Sequence, residues 1–394
     1  MSVLTQFAGA KPPVGSIVQA PYNLTDSDYL PCDGRAVLRA TYPLLSACLP
    51  NIGTFTATAR TKPFTPTSSA IAANGTVWVV TGAVGTNNLY TTPDGITYTA
   101  RTTPTAACDV RSILWDGVNF VAAVQAGSNG TLYSSDGGVT WTATVSTSAV
   151  TASGALQTCM THAPTLGTVG RFCMVVSNGN FFTSDDRGVT WTSRSNGLGG
   201  TVFHVCWTGQ KFIALTGTQN VIYTSTDGIT WVSQATTFFS QAATANTGSI
   251  ISDGAGKVLW IDQNKVITSL DHGVTWAGRA FGVEISGGIL SFSNPGTTAW
   301  YTNGRFFFHG NQTFSSYSSV DLIGWAQSKI AATISTAFGI SHKAGVYLIN
   351  NDNSTTAAFT AVEDTSRIAL PGSSQNAAVS NGSWNNFMPF IKVK

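Results

Sequence analysis

Six carboxylates stand at a near-regular interval along this 394-residue chain, each in almost the same company. They are Asp94, Asp136, Asp186, Asp227, Asp271 and Asp321, and the fullest version reads Ser134-x-Asp136-x-Gly138-x-Thr140-Trp141. Asp186 and Asp271 keep that spacing to Gly188 and Gly273. Asp94 and Asp227 are followed directly by glycine, and after Asp321 the glycine is lost, which predicts a distorted turn. A carboxylate can hold a cation, pass a proton, or accept backbone N–H groups across a turn. Hard cations want about six or more oxygens, and each turn offers one or two carboxylates, so no metal and no cofactor is expected. The local chemistry fits better. Asp accepts the N–H groups of the turn, Gly takes the positive φ that other residues resist, and Thr suits the departing strand. The aromatic that follows (Trp141, Trp191, Trp231, Trp276 or Trp325, with Tyr98 in the first copy) buries a large surface between sheets. A structural role is the expectation for all of these residues.

Other chemistry is sparse. The only glutamates are Glu284 and Glu363. Outside the repeated turns the candidate acids are Asp109, Asp116, Asp185, Asp253, Asp262 and Asp352, several of which read as ordinary turn residues. His162, His204, His272, His309 and His342 are scattered, and neither a Ser/His/Asp order nor a Gly-rich phosphate loop stands out. Two carboxylates facing one another, as glycoside hydrolysis needs, are not evident. The six cysteines form no C-x-x-C pair. They read as small buried residues, though Cys159 and Cys173 fall on strands expected to be neighbours, where a disulfide is conceivable. The chain is therefore expected not to be an enzyme.

The elements that carry the turns repeat with them. In Ser112 to Gly127 two apolar strands are joined by a turn; a third strand then enters the Asp turn, and a fourth leaves it through the aromatic. From Tyr98 to Trp325 the aromatics follow one another at steps of 43, 50, 40, 45 and 49 residues. Four antiparallel strands every 40 to 50 residues, with no helical periodicity, is the pattern of a β-propeller blade. After Trp325 three more strands are written, roughly 336–342, 346–350 and 357–362, with no fourth. The missing strand stands at the other end, where Thr54-Phe55-Thr56-Ala57 matches Thr97-Tyr98-Thr99-Ala100. Seven blades are predicted over residues 54–363, with 54–60 closing the last blade. Closure removes free sheet edges and brings residues 53 and 364 together, as an inserted domain requires.

A second recurring chemistry is amide. The turn between the second and third strands carries Asn87-Asn88, Asn129, Asn178 and Asn180, Gln219-Asn220, Gln263-Asn264, Asn311-Gln312 and Asn350-Asn351. Ringed on one face, these amides would suit sugar hydroxyls, with aromatics such as Trp207, Trp300, Tyr301 and Phe308 beside them. Asn88, Asn129, Asn180, Asn220, Asn264, Asn311, Gln312, Asn350 and Asn351 are the receptor-binding candidates. The plain alternative is that Asn and Gly are favoured hairpin-turn chemistry.

Charged residues make up only 10% of the chain and the net charge is +2, so no nucleic-acid footprint is expected. No run approaches the roughly 18 apolar residues of a membrane span, so no membrane insertion is expected. The start, MSVLTQFAGAKPPVG, does not read as a Sec-type signal peptide. Residues 1–12 read as an arm. Within 13–53, Val37, Leu38, Tyr42, Leu44, Leu45 and Cys48 approximate helical spacing.

Two resemblances follow from these residues. Pro13-Val14-Gly15-Ser16-Ile17, Leu30-Pro31-Cys32-Asp33-Gly34 and Arg39-x-x-Tyr42-Pro43-x-Leu45 resemble the tail collar domain of bacteriophage tail fibre proteins. Ile368-Ala369-Leu370-Pro371-Gly372 and Phe387 to Lys394 read as its completion, in 364–394. The repeated turn resembles the Asp-box (BNR repeat) of sialidases and related propellers. The fold expected is all-β: a seven-bladed β-propeller of four-stranded antiparallel blades inserted into a small split tail-collar-like domain. The sialidase resemblance implies an arginine triad, a tyrosine with a glutamate and an acid/base aspartate, which are not found together here. The collar resemblance implies a virion tail protein acting in host attachment. It implies other tail proteins as partners and a homo-oligomer, commonly a trimer, while the low charge and the Ser/Thr/Asn-rich loops suit a host cell-surface glycan as ligand. The alternatives are a tail-associated glycan-degrading enzyme or an architectural tail or baseplate part.

Overall fold

The computed structural model describes residues 17–21, 28–31, 36–38, 40–48, 54–65, 68, 70–82, 89–104, 109–124, 130–144, 159–176, 180–194, 202–216, 221–235, 249–262, 265–279, 299–310, 315–322, 326–328, 338–351, 358–364, 367–369 and 387–392. Seven four-stranded antiparallel sheets dominate these residues. Blade 2 shows the plan: Val110–Trp115, Phe120–Val124, Thr131–Ser134 and Thr142–Thr144 pair in chain order. The second strand is buried along its whole length, because it is covered on both faces by neighbouring blades. The fourth is open to solvent at Thr142 and becomes buried by Thr144.

The first strands line the axis. They are Ile71–Ala73, Val110–Trp115, Met160–Ala163, Val202–Trp207, Ser249–Ser252, Ala299–Thr302 and Phe338–Lys343. Successive first strands touch one another around a closed ring, and that of blade 7 returns to that of blade 1. The protein is thus an all-β, seven-bladed propeller. Blade 7 is completed by the segment Thr54–Arg60, which pairs antiparallel with Ala358–Asp364. One detail of the expected closure changes. Register makes Ala57, not Phe55, the counterpart of Tyr98: Ala57 faces Ala361 as Tyr98 follows from Thr92 in blade 1. The ladder between these two strands runs two residues further, to Glu363↔Phe55 and Asp364↔Thr54, because no tight turn joins them.

Both ends of the propeller therefore leave it at one end of blade 7, where the other blades carry the turn between third and fourth strands. The segments outside also pair. Ile17–Pro21 and Tyr29–Pro31 flank Phe387–Lys392, and Ala36–Leu38 pairs with Arg367–Ala369. Val37 and Leu38 thus belong to a strand, and the expected helix is only Pro43–Cys48. Apolar spacing over so short a run cannot tell a helix from a strand followed by a turn. No helix among the described residues is long and apolar enough to cross a membrane.

Candidate functional site

The Asp turns share one bonding scheme. In blade 2, Asp136 Oδ1 accepts from Ser134 Oγ at 2.8 Å and from the Val139 and Thr140 N–H groups at 3.0 and 2.9 Å. Oδ2 accepts Thr140 Oγ1 at 2.6 Å, and Ser134 Oγ accepts the Gly138 N–H at 2.9 Å. Burial pushes the Asp136 carboxyl up, but the bonds from Thr140 and Ser134 outweigh it and hold it below the usual range. Asp94, Asp186, Asp227 and Asp271 are lowered by the same balance. In Asp94, Asp136, Asp186 and Asp271 both carboxylate oxygens accept bonds from their own turn. The indole N–H of Trp141, Trp191 and Trp276 returns to the glycine carbonyl at 3.1 Å. Trp231 stacks instead on Phe181 of the preceding blade, ring centroids 4.1 Å apart. Trp325 lies outside the described residues.

Around Asp321 the structure corrects the expectation of distortion. Ser319 Oγ donates to Asp321 Oδ1 at 3.0 Å and accepts the Leu322 N–H at 2.9 Å, as in the intact copies. Leu322 itself adopts φ 62° in place of glycine. Such a conformation costs roughly 1–2 kcal/mol for an L-residue. Complete burial of Leu322 offsets it, since a fully buried leucine contributes about 1.5–3 kcal/mol.

Each turn also leans on the blade before it. Arg187 Nη1 donates to Asp116 Oδ2 at 3.0 Å, Arg171 Nη1 to the Asp227 carbonyl at 2.6 Å, and His272 Nδ1 to the Thr208 carbonyl at 2.9 Å. Lys257 Nζ reaches the Val320 carbonyl at 3.1 Å, and Lys343 Nζ of blade 7 reaches the Pro93 carbonyl of blade 1 at 2.8 Å. Gly188 shows why glycine is needed: at φ 83° a Cβ would lie 2.8 Å from both methyls of Val121 in blade 2. Blade 7 has no Asp turn, and Glu363 stands where register puts the aspartate. Its carboxylate takes a short ion pair from Arg305 of blade 6, which is 5% exposed. Tyr347 Oη donates to the same carboxylate at 3.5 Å.

The axis differs. A cavity of about 550 Å³ opens at the end of the propeller that bears the Asp turns, lined by all seven first strands. At one equivalent strand pair beside the first turn, the last pair in blades 2 and 4 and the last but one in blades 3, 6 and 7, five blades place a ring opposite another ring. Trp115 packs on Phe120, His162 on Phe172, Trp207 on Phe212, Tyr301 on Phe306 and His342 on Tyr347, with centroids 4.4 to 4.7 Å apart. Blades 1 and 5 have Ala73 and Ser252 at that position. Trp115, His162, Trp207 and Tyr301 line the cavity, with Asp253 and Thr302 at its edge. Hydroxyls stitch the first strands together: Thr161 Oγ1 accepts the Trp207 N–H at 3.1 Å, and Thr302 Oγ1 accepts the His342 N–H at 3.0 Å. Burial pushes His162 and His342 down, opposed by Asp116 and Glu363 respectively. Burial, then Asp253, pushes Tyr301 up.

The amide candidates among the described residues, Asn180, Asn350 and Asn351, are not brought together with these rings. Asn180 and Asn350 lie at the opposite end of their blades. Asn180 uses its carbonyl to accept the Val176 N–H at 3.1 Å. Asn350 is buried, and its Oδ1 accepts from Lys62 Nζ at 3.0 Å. Asn351 ends the strand Val346–Asn351. Asn88, Asn129, Asn220, Asn264, Asn311 and Gln312 lie outside the described residues. Of the aromatics expected beside them, Trp207 and Tyr301 are on the Asp-turn side, and Phe308 is fully buried. The sequence reading missed Trp115, His162 and His342. The signal was there in four blades: two rings five residues apart with a glycine between them, as in Trp115–Phe120, Trp207–Phe212, Tyr301–Phe306 and His342–Tyr347. The strands carrying Cys173 and, at its start, Cys159 are neighbours as expected, but Cys173 faces Thr161 and both cysteines are free; burial pushes the Cys159 thiol up to about 12. Among the described residues no group of three or more His, Cys, Asp or Glu could hold a metal ion.

No family model and no curated protein sequence matches the chain. Solved structures do. Streptogramin B lyase superposes with a TM-score of 0.59 at 12% identity, covering 79% of this chain and 98% of the lyase. Virginiamycin B lyase from Staphylococcus aureus gives 0.57 at 10%, over 78% and 99%. YCF48 bound to D1 peptide gives 0.55 at 15%, over 79% and 98%. At these identities the likeness is one of fold. It overturns one expectation nonetheless. Two of these propellers are lyases, so the missing sialidase-type acids are no ground for calling a propeller of this architecture non-enzymatic.

Proposed function

We propose that the protein is a bacteriophage tail component that acts in host attachment, with the propeller presenting a surface to a cell-surface glycan. The observation that carries this reading is the exit of both propeller ends at the seventh turn position, followed by pairing of Ile17–Pro21 with Phe387–Lys392. The paired segments include residues from both blocks that resemble the phage tail collar. In this reading residues 13–53 and 364–394 form one small unit into which the propeller is inserted. That unit joins the chain to other tail proteins and to further copies of itself, a trimer being the state the resemblance implies. The ring-lined axial cavity is the kind of concave, mixed apolar and polar site that takes a small ligand.

Two measurements test the reading. Antibody raised to the propeller should label virion tails by electron microscopy, and the purified protein should block phage adsorption when added to host cells first. Unlabelled virions together with unimpeded adsorption would overturn it. Saccharide released from host polysaccharide by the purified protein would instead favour a tail-associated glycan-degrading enzyme.

A further inference from the structure

We propose that the ligand site is the mouth of the axial cavity on the Asp-turn side, and that its ligand is a neutral pyranose unit of a glycan. This rests on the attachment reading above and deepens it, moving the site away from the amide-rich turns.

Three properties of the mouth select the ligand. The first is polarity. Seven first strands present their free edges to the axis, and an edge strand carries unpaired N–H and C=O groups. Hydroxyls of Ser249, Thr161 and Thr302 satisfy three of those donors, on Ala299, Trp207 and His342. An apolar ligand would strand polar edges away from water, at a cost for each group; a polyol satisfies them. The second is the sign of the charge. Among the described residues the cavity lining includes Asp253 and neither lysine nor arginine, so nothing among them is built to hold a carboxylated or phosphorylated sugar. The third is the rings. Trp115 and Tyr301 are half-buried, so each keeps an accessible surface. Phe120 and Phe306 brace them from behind at 4.6 and 4.7 Å. A braced ring loses little freedom on binding, and it offers an apolar body to the C–H face of a pyranose. At about 550 Å³ the cavity falls within the roughly 300–1,000 Å³ of small-molecule sites.

The test uses the full chain and two probes: a set of neutral monosaccharides, and neutral oligosaccharides cut from host surface polysaccharide. Binding is read by calorimetry. Trp115→Ala and Tyr301→Ala should each weaken it tenfold or more, while Asn311→Ala with Gln312→Ala should leave it unchanged. A readout on the unsubstituted protein guards against variants that lose their fold: saturating sugar should protect Trp115 from oxidation by N-bromosuccinimide, measured by peptide mass. Oxidation unaffected by bound sugar overturns the site, as does binding lost only in the amide-turn variant; in both cases the attachment reading stands. A protein that blocks adsorption but binds only charged saccharides overturns the ligand class alone. A protein that binds no saccharide and blocks no adsorption removes the attachment reading itself.

Discussion

The rim and the axis of this propeller are built from the same blades by opposite rules. Around the rim, five intact Asp turns repeat the same bonds, and even Leu322 is forced into the glycine conformation to keep them. Around the axis, the register position before the first turn holds Ala73, Trp115, His162, Trp207, Ser252, Tyr301 and His342 in turn. Repetition marks the part that holds blades together. Variation marks the part free to recognise something asymmetric. A carboxylate whose oxygens are already spent on its own turn has nothing left for a ligand, whereas a ring with one face open does.

The comparison breaks most severely where the rule of the rim is already broken, at the seventh position. Arg305 and Glu363 replace the Asp turn there by a partly buried ion pair, and removing one partner leaves the other uncompensated. Glu363→Ala should cost on the order of 3–5 kcal/mol, seen as a lowered urea midpoint with the unfolding slope unchanged. A loss no larger than that of an exposed pair would show that blade 7 is held by strand pairing alone. Next comes a rim glycine. Gly188→Ala forces a Cβ at φ 83° into Val121 of the preceding blade, and should cost about 1–3 kcal/mol. Combining it with Val121→Ala should recover part of that loss, because the clash is with those methyls. If the pair is simply additive, the contact between turn and preceding blade is not the cause.

How much of this was legible follows from the same contrast. The rim announced itself because identical bonding needs identical residues: Ser, Asp, Gly, Thr and an aromatic at fixed offsets gave the blades and their number. Ring closure was legible for the same reason, although matching Thr54–Ala57 to Thr97–Ala100 by residue type set the register off by two. Type matching assumes a tight turn, and the pairing of Glu363 with Phe55 extends the ladder between two unconnected strands instead. The axial row was harder to see because no residue type recurs in it; only the five-residue spacing between rings does. Asn350 looked like a surface residue and is a buried partner of Lys62.

A smaller effect separates stability from recognition. Asp136→Ala removes the acceptor for the Val139 and Thr140 N–H groups, but the site is exposed and water replaces it. The expected cost is about 1 kcal/mol, with saccharide binding unchanged. A binding loss that exceeds the stability loss would mean that rim and axis are coupled.

The smallest effect at neutral pH is the most specific, because axis and rim titrate in separate windows. His204 lies buried in the first strand of blade 4, and burial pushes it down to about 4, against about 6.5 in an unfolded chain. Between those values the unfolded state takes up a proton that the folded state refuses. Stability from His204 is therefore complete above about pH 6.5 and is lost as pH falls toward about 4. His162 and His342 are shifted in the same direction and add to that window. The five rim carboxylates are lowered, so their contribution is complete above about pH 3.9, the unfolded value, and is lost only below it. Urea midpoints from pH 8 to 3 should fall in two steps. His204→Gln should flatten the upper step and leave the lower one, while Asp136→Asn should trim the lower step alone. A midpoint that stays level from pH 6.5 to 4.5 in the unsubstituted protein would mean that the axial histidines are not held neutral by burial, and the two windows would merge.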